Sequence, residues 1–275
     1  MKARYKAALP MYDFPPLAMA HQALWTAVAT FLHRRGHTLI PSRLDAVDRV
    51  DQFWQRPDLL FTQTCEYPWM LEHQDRLELL ATPLYDTPHS DGRLYCSLLV
   101  TRRSDARAAL ADFHGATVAI NDLKSNSGFN LLAASLAELG ARSPFFADHR
   151  LTGSHRASLA AIHDGTADIA AIDCVSFAQL SRCQLIDAAH FKIIGQTPSA
   201  GALPYVCSKA LPSALKDDLI DALQHVFTDP HLTHTRAALL LKGADFKPDT
   251  AVSLTQAASV KARSVQVSAT LNPTP

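Results

Sequence analysis

The stretch Asn121-Asp-Leu-Lys-Ser-Asn-Ser-Gly-Phe-Asn130 follows the apolar run Thr117-Val-Ala-Ile120 and leads into Leu131-Leu-Ala-Ala-Ser-Leu-Ala-Glu-Leu139. A short apolar run, a polar turn and a helical-period segment in that order read as strand, loop and helix. A helix start carries unsatisfied N–H groups and a partial positive charge, and Ser125, Asn126 and Ser127 add hydroxyl and amide donors to it. Gly128 lets the backbone approach a ligand with no Cβ in the way. Such a turn suits a tetrahedral oxyanion. An ordinary N-cap, with Ser125 or Ser127 holding the helix's own amides, is the competing explanation.

Working outward, the same alternation recurs. Strands are expected at 4–9, 37–44, 58–62, 76–82, 95–101, 117–121, 145–151, 168–172, 191–196 and 203–208. Helices are expected at 17–35, 104–111, 127–139, 154–163, 212–227 and 230–242, with Gly36 and Gly140 ending two of them. Alternating strands and helices argue an α/β chain with largely parallel sheets. The block 97–196 is self-contained. It forms a second lobe, while 1–96 with 197–262 forms a discontinuous first lobe and 263–275 a disordered tail. Two crossings then join the lobes, and a ligand cleft is expected between them.

A second donor-rich helix start lies at Thr152-Gly-Ser-His155, and Asp173 ends the apolar strand Ile169-Ala-Ala-Ile172. A carboxylate near an anion site is tolerable if the ligand carries a proton, because a protonated oxygen can donate to it and sulfate cannot. Capping the following helix explains Asp173 equally well.

These residues resemble the phosphate, phosphite and phosphonate substrate-binding proteins of ABC importers. The resemblance rests on Ser125-Asn-Ser-Gly-Phe129, Gly153-Ser-His155 with the helix behind it, Asp173, Thr197-Pro198, Gly201 and Pro204. It spans about residues 4–245 and is strongest over 95–208. It implies an α/β fold of the type II periplasmic-binding-protein kind, two lobes with two hinge crossings closing on a phosphorus oxyanion. It further implies a small oxyanion ligand, an ABC importer permease as partner, a monomer and no cofactor. Carried onto this chain, Ser125, Asn126, Ser127 and His155 grip the oxygens, with Asn126 standing where many relatives have Thr. Relatives that bind aminoalkylphosphonates have an acidic residue after the second-hinge glycine. Here Ala202-Leu203 follows Gly201, so an amino group on the ligand is not expected. Tyr12, after the first strand, is a candidate ligand contact, as is Tyr85. Gln63, Thr64 and Tyr67 stand in for an aromatic residue that the relatives place at the end of the third strand.

Composition narrows the alternatives. Lys+Arg and Asp+Glu each total 26, so no global field gathers polyanions and nucleic acid is not an expected partner. No apolar run approaches the roughly 18 residues that span a bilayer. The five cysteines are scattered with no CxxC, which favours buried free thiols over a disulfide framework. His33 and His37 have metal-like spacing, but Gly36 breaks the helix between them, and no metal site is expected. Residues 1–10 lack the apolar segment of a secretory signal. The resemblance implies a periplasmic protein, and a cytoplasmic one is the alternative. With that alternative go a cytoplasmic enzyme on the same fold, similar to futalosine-pathway enzymes or thiamine pyrimidine synthases, and a cytosolic ligand sensor.

Overall fold

The computed structural model describes residues 5–66, 69–142 and 144–246. In chain order the strands are β1 (Lys6–Ala7), β2 (Leu59–Gln63), β3 (Leu77–Tyr85), β4 (Leu94–Tyr95), β5 (Ser97–Arg102), β6 (Thr117–Ile120), β7 (Asp148–Leu151), β8 (Ile169–Asp173), β9 (Phe191–Gln196), β10 (Ala200–Gly201), β11 (Tyr205–Ser208) and β12 (Leu241–Asp245). The helices are α1 (Ala18–Arg34), α2 (Val50–Phe53), α3 (Leu131–Glu138), α4 (His155–His163), α5 (Cys174–Arg182), α6 (Ser213–Thr228) and α7 (Thr233–Ala238). The chain divides into two compact units. One holds the described residues up to 86 together with 91–93 and 201–246, and the other holds 87–90 and 94–200.

In the first unit the sheet order is β1-β2-β11-β3-β12. All five residues of β2 are buried, which is why Leu59-Leu-Phe61 is a continuous apolar run rather than an alternating one. Trp25 of α1 stacks on Phe61 at 5.7 Å between ring centroids, and its indole N–H donates to the Pro41 carbonyl, so the largest buried side chain leaves no polar atom orphaned. α1 packs against α6 and α7.

The second unit has the order β7-β6-β8-β5-β9. Its core joins Phe113, Val118, Ile120, Phe129, Leu132, Leu136, Phe145, Phe146 and Ile169. Asp168 ties its edge together by accepting from the Thr117 amide and from Arg102 and Arg107. Among the described residues no helix is long and apolar enough to cross a membrane.

Several expectations are corrected. The sheets are mixed, not largely parallel: β1–β2, β6–β7 and β6–β8 are parallel, whereas β5 runs antiparallel to both β8 and β9. β5 brings the chain into this unit and β9 takes it out, so entry and exit share one end and the two strands run in opposite senses. Residues 37–44 form no strand. Pro41 lacks an N–H, and its carbonyl is taken by Trp25. Residues 104–111 form no α-helix because the Asp105 carboxylate accepts from the Arg107 amide and guanidinium, a local turn that competes with the helix. At the C-terminal end the helical pattern stops at Ala238. Leu240 adopts φ +56°, and Leu241–Asp245 turns away as a strand against β3. Of the strands expected at 4–9 and 145–151, the described residues form Lys6–Ala7 and Asp148–Leu151. The C-terminal segment from 247 lies outside the described residues.

Candidate functional site

The turn after β6 is wider than an ordinary helix start. Asn126–Asn130 forms a π-helical turn, and the amides of Phe129 and Asn130 both donate to the Ser125 carbonyl before α3 begins. Ser125 is the cap: its Oγ accepts from the Gly128 amide at 3.0 Å. Ser127 is held from behind, its carbonyl accepting from Ser97 Oγ at 2.9 Å, while its own Oγ lies 2.8 Å from His155 Nε2. The predicted partners Ser127 and His155, 28 positions apart in sequence, are thus in contact. Asn126, 4% exposed, donates from Nδ2 to the Tyr95 hydroxyl at 3.3 Å.

Burial pushes the His155 imidazole down to about 4, so at neutral pH it is an uncharged hydrogen-bonding group. Three buried polar atoms here have no partner among the described residues: Asn121 Oδ1, Asn126 Oδ1 and His155 Nδ1. Gly128 is fixed by this crowding. A Cβ on it would lie 1.7 Å from Asn121 Oδ1 and 3.4 Å from His155 Cε1.

Asp173 is 3% exposed and stands opposite Ser97 in the β5–β8 ladder. Its Oδ1 accepts from the Ser176 amide at 2.7 Å and caps α5.

Three candidates in the first unit form a cluster of their own. Tyr12 and Tyr85 meet edge to face at 5.4 Å, and Gln63 Nε2 donates to the Tyr85 hydroxyl at 2.7 Å and to the Leu203 carbonyl at 2.8 Å. Tyr12 holds φ +59°, a conformation rare outside glycine. Thr64 is fully buried, its amide on the Pro204 carbonyl. Tyr67 lies outside the described residues. An open hollow of about 1010 Å³ in this unit, lined by Asp13, His21, Gln22 and Arg43 among others, holds none of the candidates.

Four residues escaped the sequence reading. Asn121 was legible as the polar residue just past a strand's carboxyl end. Tyr95 and Ser97 gave no local signal, since only the sheet brings them to the turn. Glu66, 7% exposed, presses so closely on Gly201 that a Cβ there would lie 1.4 Å from Glu66 Oε2. A carboxylate therefore does reach that glycine, from a distant part of the chain rather than from the position following it.

Compared with known proteins, residues 20–251 match the family described as periplasmic substrate-binding proteins of phosphonate ABC transporters. No curated protein sequence matches the chain. Among solved structures, a binding protein component of an ABC phosphonate transporter from Pseudomonas aeruginosa is 16% identical, with a TM-score of 0.73 over 98% of this chain and 97% of that one. PhnD1 from Prochlorococcus marinus, in complex with methylphosphonate, is 10% identical with a TM-score of 0.75 over 96% and 99%. The aliphatic sulphonate binding protein SsuA from Escherichia coli is 13% identical with a TM-score of 0.64 over 100% and 93%. The fold is that of type II periplasmic binding proteins.

Proposed function

The chain belongs to the family of periplasmic substrate-binding proteins of phosphonate ABC transporters, and from that premise we propose that the turn at 125–128 and His155 hold a phosphorus oxyanion such as phosphate, phosphite or a phosphonate. Membership makes the chain a solute-binding protein whose partners are a small ligand and an ABC permease, and does not favour the enzyme and sensor alternatives. We place it in the periplasm on the same ground.

The observation that carries the ligand reading is the Ser127–His155 contact at 2.8 Å beside buried Asn126. Neutral hydroxyl, amide and imidazole groups gather there without a lysine or arginine among the candidates. Donors of this kind bind an anion through charge-assisted hydrogen bonds, each contributing about 1.5–3 kcal/mol, and they release it again without breaking an ion pair. Asp173, opposite the serine that supports Ser127, is assigned the part of reading the proton on the ligand.

Calorimetric titration of the full chain with methylphosphonate, phosphite, phosphate and sulfate tests this. Saturable binding of at least one phosphorus anion, with sulfate roughly tenfold weaker or more, is expected. Absence of heat from every phosphorus anion, or a preference for sulfate, overturns it.

A further inference from the structure

The structure holds all five cysteines as thiols, and two of them are neighbours. The β5–β8 ladder pairs Ser97 with Asp173, and one step further along it Cys96 meets Cys174, whose amide donates to the Cys96 carbonyl at 3.0 Å. Directly opposite residues of an antiparallel pair put their side chains on one face, with Cα atoms about 4.5–5.5 Å apart. A disulfide asks for about 4.4–6.8 Å. The side chains agree with the backbone. Both thiols approach the same acceptor, the His89 carbonyl, Cys96 Sγ at 3.4 Å and Cys174 Sγ at 3.7 Å. Both are almost wholly buried, at 2% and 1% exposure.

We propose that Cys96 and Cys174 close a disulfide while the chain folds in an oxidising compartment, before burial shuts the sulfurs away from an oxidant. A periplasm supplies such conditions. One thiolate attacks the S–S bond of a small disulfide oxidant, forms a mixed disulfide and releases one thiol. The second thiolate then attacks the protein sulfur of that mixed disulfide and expels the other thiol. Two electrons and two protons leave the protein, and the oxidant becomes two thiols. The bond would fasten β5 to the start of α5, between Tyr95 and Asp173. It stands independently of what the neighbouring turn binds.

The test is refolding of the denatured, reduced full chain in a buffer of oxidised and reduced glutathione, followed by thiol counting under denaturing conditions and peptide mapping. The expected product has lost two of its five thiols, carries a Cys96–Cys174 cross-linked peptide and unfolds at a higher denaturant midpoint than the reduced protein. Cys96→Ser and Cys174→Ser proteins should each keep their remaining thiols, and either one folding to a native circular dichroism spectrum validates the control. Retention of five thiols, a stable glutathione adduct on one cysteine, or a cross-link to any other cysteine overturns the proposal.

Discussion

Replacing Ser127 by alanine removes one oxygen from a turn whose backbone is held by other groups. Ser97 still donates to the residue 127 carbonyl, and Ser125 still receives the Gly128 amide. What disappears is a 3.4 Å contact with Ser125 Oγ and the 2.8 Å contact with His155 Nε2, the loss of which leaves both nitrogens of that ring without a partner among the described residues, since Nδ1 already has none. Stranding a buried polar group lowers stability by about 1–3 kcal/mol, so the ligand-free protein should show a lower denaturant midpoint with an unchanged slope. If the hydroxyl also contacts a bound anion, a charge-assisted hydrogen bond of about 1.5–3 kcal/mol is lost, which weakens affinity by roughly 10- to 150-fold. Calorimetry with methylphosphonate measures the second effect at a protein concentration where the variant is fully folded. A variant that loses stability while binding within about twofold of the parent, together with the same result for His155→Gln, would show that the pair is structural and refute the site.

Further outcomes can be read from the same unit and from its neighbour. Gly128→Ala should destabilise by about 1–3 kcal/mol because its Cβ would meet Asn121 Oδ1 at 1.7 Å, and adding Asn121→Ala should restore much of the loss in a double-mutant cycle. His155 takes up a proton near 6.5 when unfolded but only near 4 when folded, so stability should be level above about pH 6.5 and fall by on the order of 3 kcal/mol as pH drops towards 4; His155→Gln should abolish this part of the decline in urea titrations across that window. Asp173→Asn keeps a capping side chain and should leave the melting temperature nearly unchanged while shifting the phosphate-to-sulfate affinity ratio towards sulfate by roughly tenfold or more; an unmoved ratio makes Asp173 a cap alone. Tyr85→Phe removes one of the two acceptors of Gln63 Nε2, and a loss of about 1 kcal/mol is expected by chemical denaturation.

The sequence by itself determined the features that arise within a few residues of chain. Apolar runs ending in polar turns located β2, β6 and β8. A cap at Ser125 or Ser127 was legible, with Ser125 decided only by the structure, and the turn at 125–128 stood out because its donors exceed what capping requires. Where prediction failed, a local interaction outweighed the periodic signal, as when Asp105 closes on Arg107 in place of a helix, or when Leu240 turns the chain out of α7 into β12. Tertiary structure alone decided what depends on register and on contacts distant in sequence. The antiparallel entry of β5 sets Ser97 behind Ser127 and Cys96 against Cys174, and packing carries Glu66 to Gly201. No periodicity encodes these pairs, because hydrophobic pattern fixes which face of a strand is buried but not which strand lies beside it.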